Sequence, residues 1–323
     1  MVSLLRVVWL TAVVLYCLPV QAQVVLRYRF EKDKPLYYEI KLQVEQKMGL
    51  PGQQDITVKI ESRDVSRWSV KEITPEGEFV LEKKSLLLQF SQTVEGPFGK
   101  QAFRFDSTQP APPARDASQK LLIQMLQNQA RVPLVLRVDS RGRISQVQGI
   151  EEWHKGIQAP AAMKKFLEDT LAQTRKQMKS LFVPLPEKAP KVGDQWETPF
   201  EYKLGSLGEL KGKVVHRYEG TRENIARFAR QTFLQGKLDI KPAPGIQIKG
   251  TTQTKRTQGH VLLDVVRGHI RASEEEFQLE VEADILAPNQ NQKLKQTATT
   301  KQSMRLLDSP PKLPQNSQEQ TEK

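Results

Sequence analysis

Hydrophobic and polar residues alternate along most of the chain, which is the pattern of strands with one buried face. Residues 38–44 place Tyr38, Ile40 and Leu42 on one side, and residues 277–285 repeat the alternation without a fault. Successive side chains of a strand point to opposite faces, so each segment has one apolar and one solvated face, as in antiparallel sheets. Further strands are predicted at residues 24–30, 56–60, 79–81, 86–90, 102–105, 132–138, 214–218, 262–266 and 296–306.

Two segments show helical periodicity instead. A short helix is predicted to begin at Asp116 or Ser118, either of which can cap it. Its apolar face is formed by Leu121, Leu122, Met125 and Leu126. A long helix is predicted over residues 158–183, with Pro160 in its first turn and a length of about 30–35 Å. Its apolar stripe is formed by Met163, Phe166, Leu167, Leu171, Met178, Leu181 and Phe182.

These elements predict an α+β fold that is mostly antiparallel β. We expect a curved sheet or half-barrel with the one long amphipathic helix packed on it through Phe166, Leu167 and Leu171. Residues 23–308 are predicted to form a single β-rich domain. The alternative is two halves, 23–150 and 190–308, joined by helix 158–183. Residues 309–323 carry almost no apolar side chain and are predicted to be disordered.

Two turn segments resemble each other. Residues 138–144 and 265–270 both carry an Arg-Gly pair between apolar strands. The similarity indicates either an internal repeat or only the usual appearance of a hairpin.

The first residues have the composition of a secretory signal peptide. Arg6 precedes an apolar run over residues 7–18, and Val20 and Ala22 suit a signal peptidase, so cleavage is predicted after Ala22. The run is short for a membrane span. The alternatives are an uncleaved anchor and a lipoprotein acylated at Cys17, which the bulky Tyr16 disfavours. Cleavage would leave no cysteine, and we expect a periplasmic or secreted protein of a bacterial envelope.

The composition is basic. The chain has 49 Lys and Arg against 37 Asp and Glu, a net charge of +12, and loss of Arg6 with the signal peptide leaves +11. This balance is suited to an anionic envelope polymer or lipid headgroups. The alternative is that the charges are the solvated faces of strands, which the alternation favours. Nothing in the sequence indicates a specific nucleic-acid partner, and the oligomeric state is not predicted.

The sequence carries none of the common catalytic motifs. The four histidines, His154, His216, His260 and His269, form no zinc motif, and the chain has no nucleophile elbow or phosphate-binding loop. His216 is predicted to be a hydrogen-bonded core or rim residue. We therefore expect no enzyme activity, no metal and no cofactor.

Three segments resemble a group of exported bacterial proteins of unknown function. The first is Leu-Arg-Tyr-Arg-Phe at residues 26–30, followed by Tyr-Tyr-Glu at 37–39. The second is the Leu-Pro…Val-Gly-Asp-Gln-Trp segment at 185–196. The third is the strand, glycine turn and polar hairpin from Val261 onward. The resemblance implies export and a β-rich fold, and it implies no activity, ligand or catalytic residue.

The hypothesis favoured by these patterns is a binding protein whose concave sheet holds an apolar or lipid-like ligand. The side chains predicted to face that ligand are Tyr28, Phe30, Tyr38, Ile40, Leu42, Phe166, Leu167 and Leu171. One alternative is that the helix fills this face and nothing else binds there. Another is a surface or structural protein that binds anionic envelope polymer, and an enzyme is the least favoured class.

Overall fold

The computed structural model describes residues 25–49, 54–97, 99–157, 168, 171–172, 174–176, 178–203, 209–243, 246–287 and 290–312. Several sequence predictions fall outside these residues. They are the signal peptide at 1–22, Phe166 and Leu167 of the long helix, and most of the tail, 313–323.

Twelve strands form one open, curved sheet in which every pairing is antiparallel, which confirms the predicted fold class. The strand order is β6-β5-β3-β2-β1-β12-β11-β10-β9-β8-β7, and β4 pairs with β3 off this path. The strands are β1 Leu36–Gly49, β2 Ile56–Ile73, β3 Phe79–Gly96, β4 Gly99–Asp106, β5 Leu134–Val138, β6 Ile144–Gln148, β7 Gln195–Lys203, β8 Glu209–Arg222, β9 Ile225–Ala243, β10 Ile246–Asp264, β11 His269–Ala287 and β12 Gln290–Leu307.

The first and last strands meet in the middle of the sheet. Tyr38 of β1 lies opposite Leu306 of β12, and Ile40 lies opposite Met304. The register then continues to β2 on one side and to β11 on the other. Strands from the two halves of the chain therefore belong to one continuous sheet.

The two faces of the sheet differ in polarity. We call the side that carries Tyr38, Ile40 and Leu42 the apolar face, and the opposite side, with Lys41 and Gln43, the polar face. Side chains directly opposite each other on paired strands lie on the same face. Away from the register shifts, the pairings thus assign residues of neighbouring strands to one face or the other.

Helix α1 covers Ala117–Arg131, where the short helix was predicted. Asp116 is its N-cap, since its Oδ1 accepts a hydrogen bond from the amide of Gln119 at 2.8 Å. Leu126 packs with Leu88 and Phe105 in a small hydrophobic cluster on the apolar face. The helix thereby covers the apolar face over β3 and β4.

The long predicted helix is described at only some positions. Residues 168, 171–172, 174–176 and 178–179 are helical. Leu171, Met178 and Leu181 are half-buried and pack against the main core, as the predicted stripe requires. Phe182 and Val183, which follow, are fully within that core. A short 3-10 helix at Glu151–His154 precedes this region.

Residues 25–30, which we call the strap, belong to the strand predicted at residues 24–30, and that prediction is wrong. They are extended and alternate in burial, but they pair with no strand of the described sheet. Their amides bond to turns instead. The amide of Tyr28 donates to the carbonyl of Ser140 at 2.7 Å, and that of Arg29 donates to the carbonyl of Gly268 at 2.8 Å. The strap therefore joins the β5–β6 and β10–β11 turns, which are the two turns that resemble each other in sequence.

The main core lies at one end of the sheet, on the apolar face. It gathers the first residues of β1, β3, β9 and β11 and the last residues of β2, β8, β10 and β12. The strap and residues 182–185 cover it, so this end is two layers thick. The fully buried members include Leu26, Tyr28, Tyr38, Leu81, Leu134, Leu136, Ile150, Leu185, Phe228, Leu263 and Ile270.

Candidate functional site

The apolar face divides into three zones along the strands. The first is the main core. The second is a band of polar side chains, the polar belt, formed by Asp64, Lys83, Trp196, His216, Arg230, Thr232 and Glu275. The third, towards the other strand ends, is apolar again, and we call it the distal zone. Its members are Val44, Ile60, Val94, Leu210, Leu234, Ile248, Leu279, Val281 and Ile285, placed on this face by the register.

One end of the polar belt is a buried ion pair. Lys83 Nζ lies 2.5 Å from Asp64 Oδ2, with the two side chains 8% and 12% exposed. The second carboxylate oxygen of Asp64 accepts a hydrogen bond from Ser85 at 2.7 Å. Each charge therefore has a compensating partner, as buried charges require.

The other end of the belt is a second ion pair. Arg230 Nε lies 3.1 Å from Glu275 Oε2, and both side chains are largely buried. The hydroxyl of Thr232 donates to Glu275 Oε1. Arg230 belongs to β9 and Glu275 to β11, so this pair spans the intervening β10. The glycine at position 259 lies opposite Glu275 on β10 and leaves room between them.

His216 lies on β8 directly opposite Arg230 on one side and Trp196 on the other. The His216 and Trp196 rings are stacked, with centroids 5.9 Å apart and planes 30° apart. Burial, helped by the nearby Arg230 charge, lowers the pKa of His216 to about 3. His216 is therefore neutral at physiological pH.

Three polar atoms at this end of the belt have no hydrogen-bond partner. They are Nδ1 of His216, Nε1 of Trp196 and Nε of Arg230, and all three are buried. The predicted hydrogen-bonded role of His216 is thus not met at Nδ1. Buried polar groups without hydrogen-bond partners are rare in folded proteins, so each one needs a structural or functional explanation.

The distal zone is apolar but belongs to neither of the two hydrophobic clusters that the described residues form. Seven of its nine members, including Val44, Ile60 and Val281, are half-buried, whereas Leu210 and Leu234 are buried. The same alternation that buries Tyr38 and Ile40 in or against the main core thus continues past the belt. Along β11 it reaches Leu279, Val281 and Ile285.

The residues predicted to face a ligand lie at different depths. Tyr28, Phe30 and Tyr38 are buried in the main core, where they contact protein side chains. Their aromatic contacts include Tyr28 with Phe182 at 5.1 Å and Tyr38 with Trp68 at 5.9 Å between centroids. The remaining described members, Ile40, Leu42 and Leu171, are half-buried. The first three side chains are therefore already occupied by packing, and the open apolar surface lies farther along the strands.

The polar face carries three shallow hollows of about 500, 460 and 450 Å³. They are lined by charged side chains of both signs, including Lys41, Glu61 and Lys301. Many of the charges are paired. Lys301 lies 3.5 Å from Glu276, Arg63 lies 2.7 Å from Glu39, and other pairs continue across the strands. Many basic side chains of this face are thus paired with a carboxylate.

The described residues contain no group of three or more His, Asp or Glu side chains arranged to hold a metal ion. Among the helical residues that the structure describes, no segment is long and apolar enough to cross a membrane.

Sequence reasoning missed the polar belt, although a signal for it exists. Arg230 occupies the apolar phase of β9, between Phe228 and Leu234, and Glu275 stands in phase with Phe277 and Leu279 of β11. A charged residue in an apolar phase indicates a buried polar interaction. The sequence does not show that the two residues meet, because that depends on the pairing of β9, β10 and β11.

The model of the Family of unknown function (DUF6263) matches residues 89–226, somewhat less than half of the 323-residue chain. The matched range includes the segment 185–196. This confirms the resemblance to a family of unknown function, and the match brings no activity with it. No curated protein matches the sequence significantly.

Three solved structures resemble this chain to a limited degree. Lipovitellin, in a structure concerned with lipid–protein interactions, is similar over 89% of this chain at 11% identity and a TM-score of 0.45, and this chain spans only 26% of it. An outer membrane channel from Pseudomonas putida F1 has 8% identity, covers 89% and 98% of the two chains, and has a TM-score of 0.22. OccK7 (OpdD) from Pseudomonas aeruginosa has 7% identity, coverage of 85% and 100%, and a TM-score of 0.20. TM-scores this low carry no argument about function.

Proposed function

We propose that this chain is an exported, non-catalytic protein of the bacterial envelope or secreted fraction that binds an apolar or lipid-like molecule on the distal zone. The observation that supports the proposal most directly is the continuation of the apolar face beyond the core. Val44, Ile60 and Val281 repeat the core pattern, yet they belong to neither hydrophobic cluster of the described residues.

The distal zone leaves apolar surface exposed to water, and a bound molecule would cover it. Removing apolar surface from water stabilises by about 25 cal/mol per Å². Seven of the nine side chains of the distal zone are half-buried, so part of their apolar surface remains in contact with water. Apolar surface gathered on one face of a protein is typical of ligand-binding or interaction sites.

Binding of an anionic envelope polymer has less support. It would call for unpaired bases collected on one surface. Lys255 and Lys295 of the polar face instead flank Glu280 at 2.7 and 2.8 Å, and Arg63 pairs with Glu39. Exposed pairs of this kind contribute little to stability, but they leave less free charge for a polyanion.

The test uses a neutral apolar fluorescent probe, N-phenyl-1-naphthylamine, titrated with the purified chain. We expect saturable binding that the double variant Val281→Gln, Ile285→Gln weakens by about tenfold, because two apolar contacts worth roughly 1.4 kcal/mol together are lost.

The matched control is Glu282→Gln, which places the same side chain on the polar face of the same strand. It should leave the affinity for the probe unchanged. Probe binding that is absent, or that falls equally in the Glu282→Gln variant, would contradict a ligand site on the apolar face. Export has its own test: the mass of the protein recovered outside the cytoplasm should correspond to a chain that begins at Gln23.

A further inference from the structure

The end of the sheet that holds the strap also carries a group of outward-facing basic side chains. The strap buries its even-numbered side chains in the core, so its odd-numbered side chains face away from the core. The two turns that it joins present further side chains at the same end. We call this surface the strap patch, and its members are Val25, Arg27, Arg29, Arg141, Val266 and Arg267.

Hydrogen bonds hold the strap patch together as one surface. The amide of Arg29 donates to the carbonyl of Gly268 at 2.8 Å, and its guanidinium donates to the carbonyl of Val266 at 3.4 Å. On the other side of the strap, the guanidinium of Arg27 donates to the carbonyls of residues 186 and 187 at 3.1 and 2.7 Å. The members of the patch are therefore fixed relative to one another by the fold.

The positive charges of the strap patch have no counter-charge in contact with them. Within the described residues, none of the four arginines of the patch forms an ion pair with a carboxylate. The acceptors of their guanidinium groups are backbone carbonyls, as for Arg141, which donates to Leu185 at 2.9 Å. A carbonyl oxygen satisfies a donor but leaves the charge of the guanidinium in place. This surface thus differs from the polar face, where many bases are paired.

Three carboxylates near the patch are already engaged. Asp139 pairs with Arg143 at 2.6 Å, and Glu31 pairs with Lys34 at 2.5 Å. Asp264 accepts hydrogen bonds from two backbone amides of its own turn at 3.1 and 2.8 Å. Five arginines against two aspartates give a net charge of +3 to the strap and the two turns, residues 25–30, 139–143 and 264–268.

Exposed valines accompany these arginines. Val25 is 51% exposed and Val266 is 58% exposed. Val192, 68% exposed, lies at the same end of the sheet, next to Gly220 of β8. Apolar side chains that stand beside unpaired bases match the interface of an anionic bilayer, where the bases meet phosphates and the apolar groups enter the acyl boundary.

From this arrangement we propose that the strap patch docks on an anionic membrane surface. Its arginines meet the phosphates of the lipid headgroups, and Val25 and Val266 enter the boundary of the acyl chains. An anionic polymer would meet the same arginines but would give the valines no apolar surroundings, so a membrane is the better match. The proposal goes beyond the proposed function and is independent of it, because the patch and the distal zone lie at opposite ends of the strands.

The experiment measures co-sedimentation of the exported protein with vesicles. One set contains phosphatidylglycerol and phosphatidylcholine in equal parts, and the other contains phosphatidylcholine alone. We expect binding to the anionic vesicles only, and we expect it to weaken as salt is added. The double variant Arg29→Gln, Arg267→Gln should weaken it about 10- to 30-fold, because each base near an anionic surface contributes about fivefold.

The matched control is Arg104→Gln, Arg256→Gln, which removes the same two charges from exposed positions on the polar face. It should leave vesicle binding nearly unchanged. Neither double variant should alter the binding of N-phenyl-1-naphthylamine, so a failure of membrane docking and a failure of the ligand site are seen separately. Equal binding to neutral vesicles, no binding to either set, or equal losses in the two double variants would overturn the proposal.

A single variant separates a membrane from an anionic polymer. Val266→Ser keeps every charge of the patch and should weaken vesicle binding about threefold, because less apolar surface enters the bilayer. It should leave binding to dextran sulfate, a soluble polyanion, unchanged. Vesicle binding that Val266→Ser does not alter, together with dextran sulfate binding that depends on Arg29 and Arg267, would assign the patch to a polymer and overturn the membrane proposal.

Discussion

The hydroxyl of Tyr28 lies 3.2 Å from both the carbonyl oxygen and the amide nitrogen of Val183. It donates to the first and accepts from the second, so one buried side chain satisfies two backbone groups 155 residues away. Burial raises the pKa of Tyr28, which keeps the phenol protonated and able to donate. The strap is thus held to residues 182–185 as well as to the two turns.

Removal of this hydroxyl should be measurable. Tyr28→Phe leaves the amide and carbonyl of Val183 without their partner, so we expect it to lower the free energy of unfolding by about 1–3 kcal/mol. The measurement is urea denaturation. The control is Tyr37→Phe, a half-buried position on the polar face, which should cost clearly less. Equal effects of the two changes would show that the strap contact contributes nothing.

The two turns under the strap depend on glycine for a steric reason. A Cβ at Gly142 would lie 2.4 Å from the ring of Tyr28, and one at Gly268 would lie 2.6 Å from Arg29. Both glycines also have positive φ. Gly142→Ala and Gly268→Ala should therefore each cost about 2–5 kcal/mol, from backbone strain and overpacking together.

A third glycine separates these two contributions. Gly77 also has positive φ but has nothing within 4 Å of the added Cβ. Gly77→Ala should cost only the backbone part, about 1–2 kcal/mol. If thermal or urea unfolding gave the same loss for all three variants, contact with the strap would not be what requires glycine at 142 and 268.

The Asp64–Lys83 pair allows a double-mutant cycle. Lys83→Met leaves a buried carboxylate without its counter-charge and should cost about 3–5 kcal/mol. Asp64→Leu combined with Lys83→Met removes both charges and should recover most of that loss. A double variant that is less stable than Lys83→Met alone in urea denaturation would contradict this account of the belt.

The depressed pKa of His216 predicts a loss of stability in mild acid. Its pKa is about 3 when folded, against 6.5 for an unperturbed histidine, so below pH 6.5 the unfolded chain takes up a proton that the folded chain refuses. Stability is fully present above pH 6.5 and falls as the pH is lowered towards 3, by up to about 1.4 kcal/mol per pH unit.

The control for this pH dependence is His216→Gln, in which the slope between pH 6.5 and 5 should decrease. Burial also lowers the pKa of His269, so part of the slope should remain. Denaturation curves that give the wild type and His216→Gln the same slope would show that His216 is not held neutral in the folded chain.

Local patterns predicted much of this fold. Alternation located β1, β2 and β11, and helical spacing with a capping residue located α1 and Asp116. The strap shows the limit of alternation. Leu26, Tyr28 and Phe30 are buried on alternate positions as a strand would bury them, but their backbone partners are turns. Alternation indicates which side of an extended segment is buried. It does not indicate which groups accept hydrogen bonds from the backbone amides of that segment.

The candidate site was harder to predict because it depends on the register with which distant strands pair. Arg230 and Glu275 form one feature only after β9, β10 and β11 pair with particular offsets, including the shift between Gln253 and His260. The same holds for the contact of β1 with β12, which joins the first and last strands of the sheet. Long-range pairings of this kind are not encoded in any local period.

The central claim is that the apolar face holds an apolar or lipid-like molecule. The most direct test is extraction of the natively exported protein with organic solvent, followed by mass spectrometry of the extract. The account predicts an apolar or lipid-like molecule in amounts comparable to the protein, and its loss from the Val281→Gln, Ile285→Gln variant. An extract with no more lipid than that variant yields would contradict it.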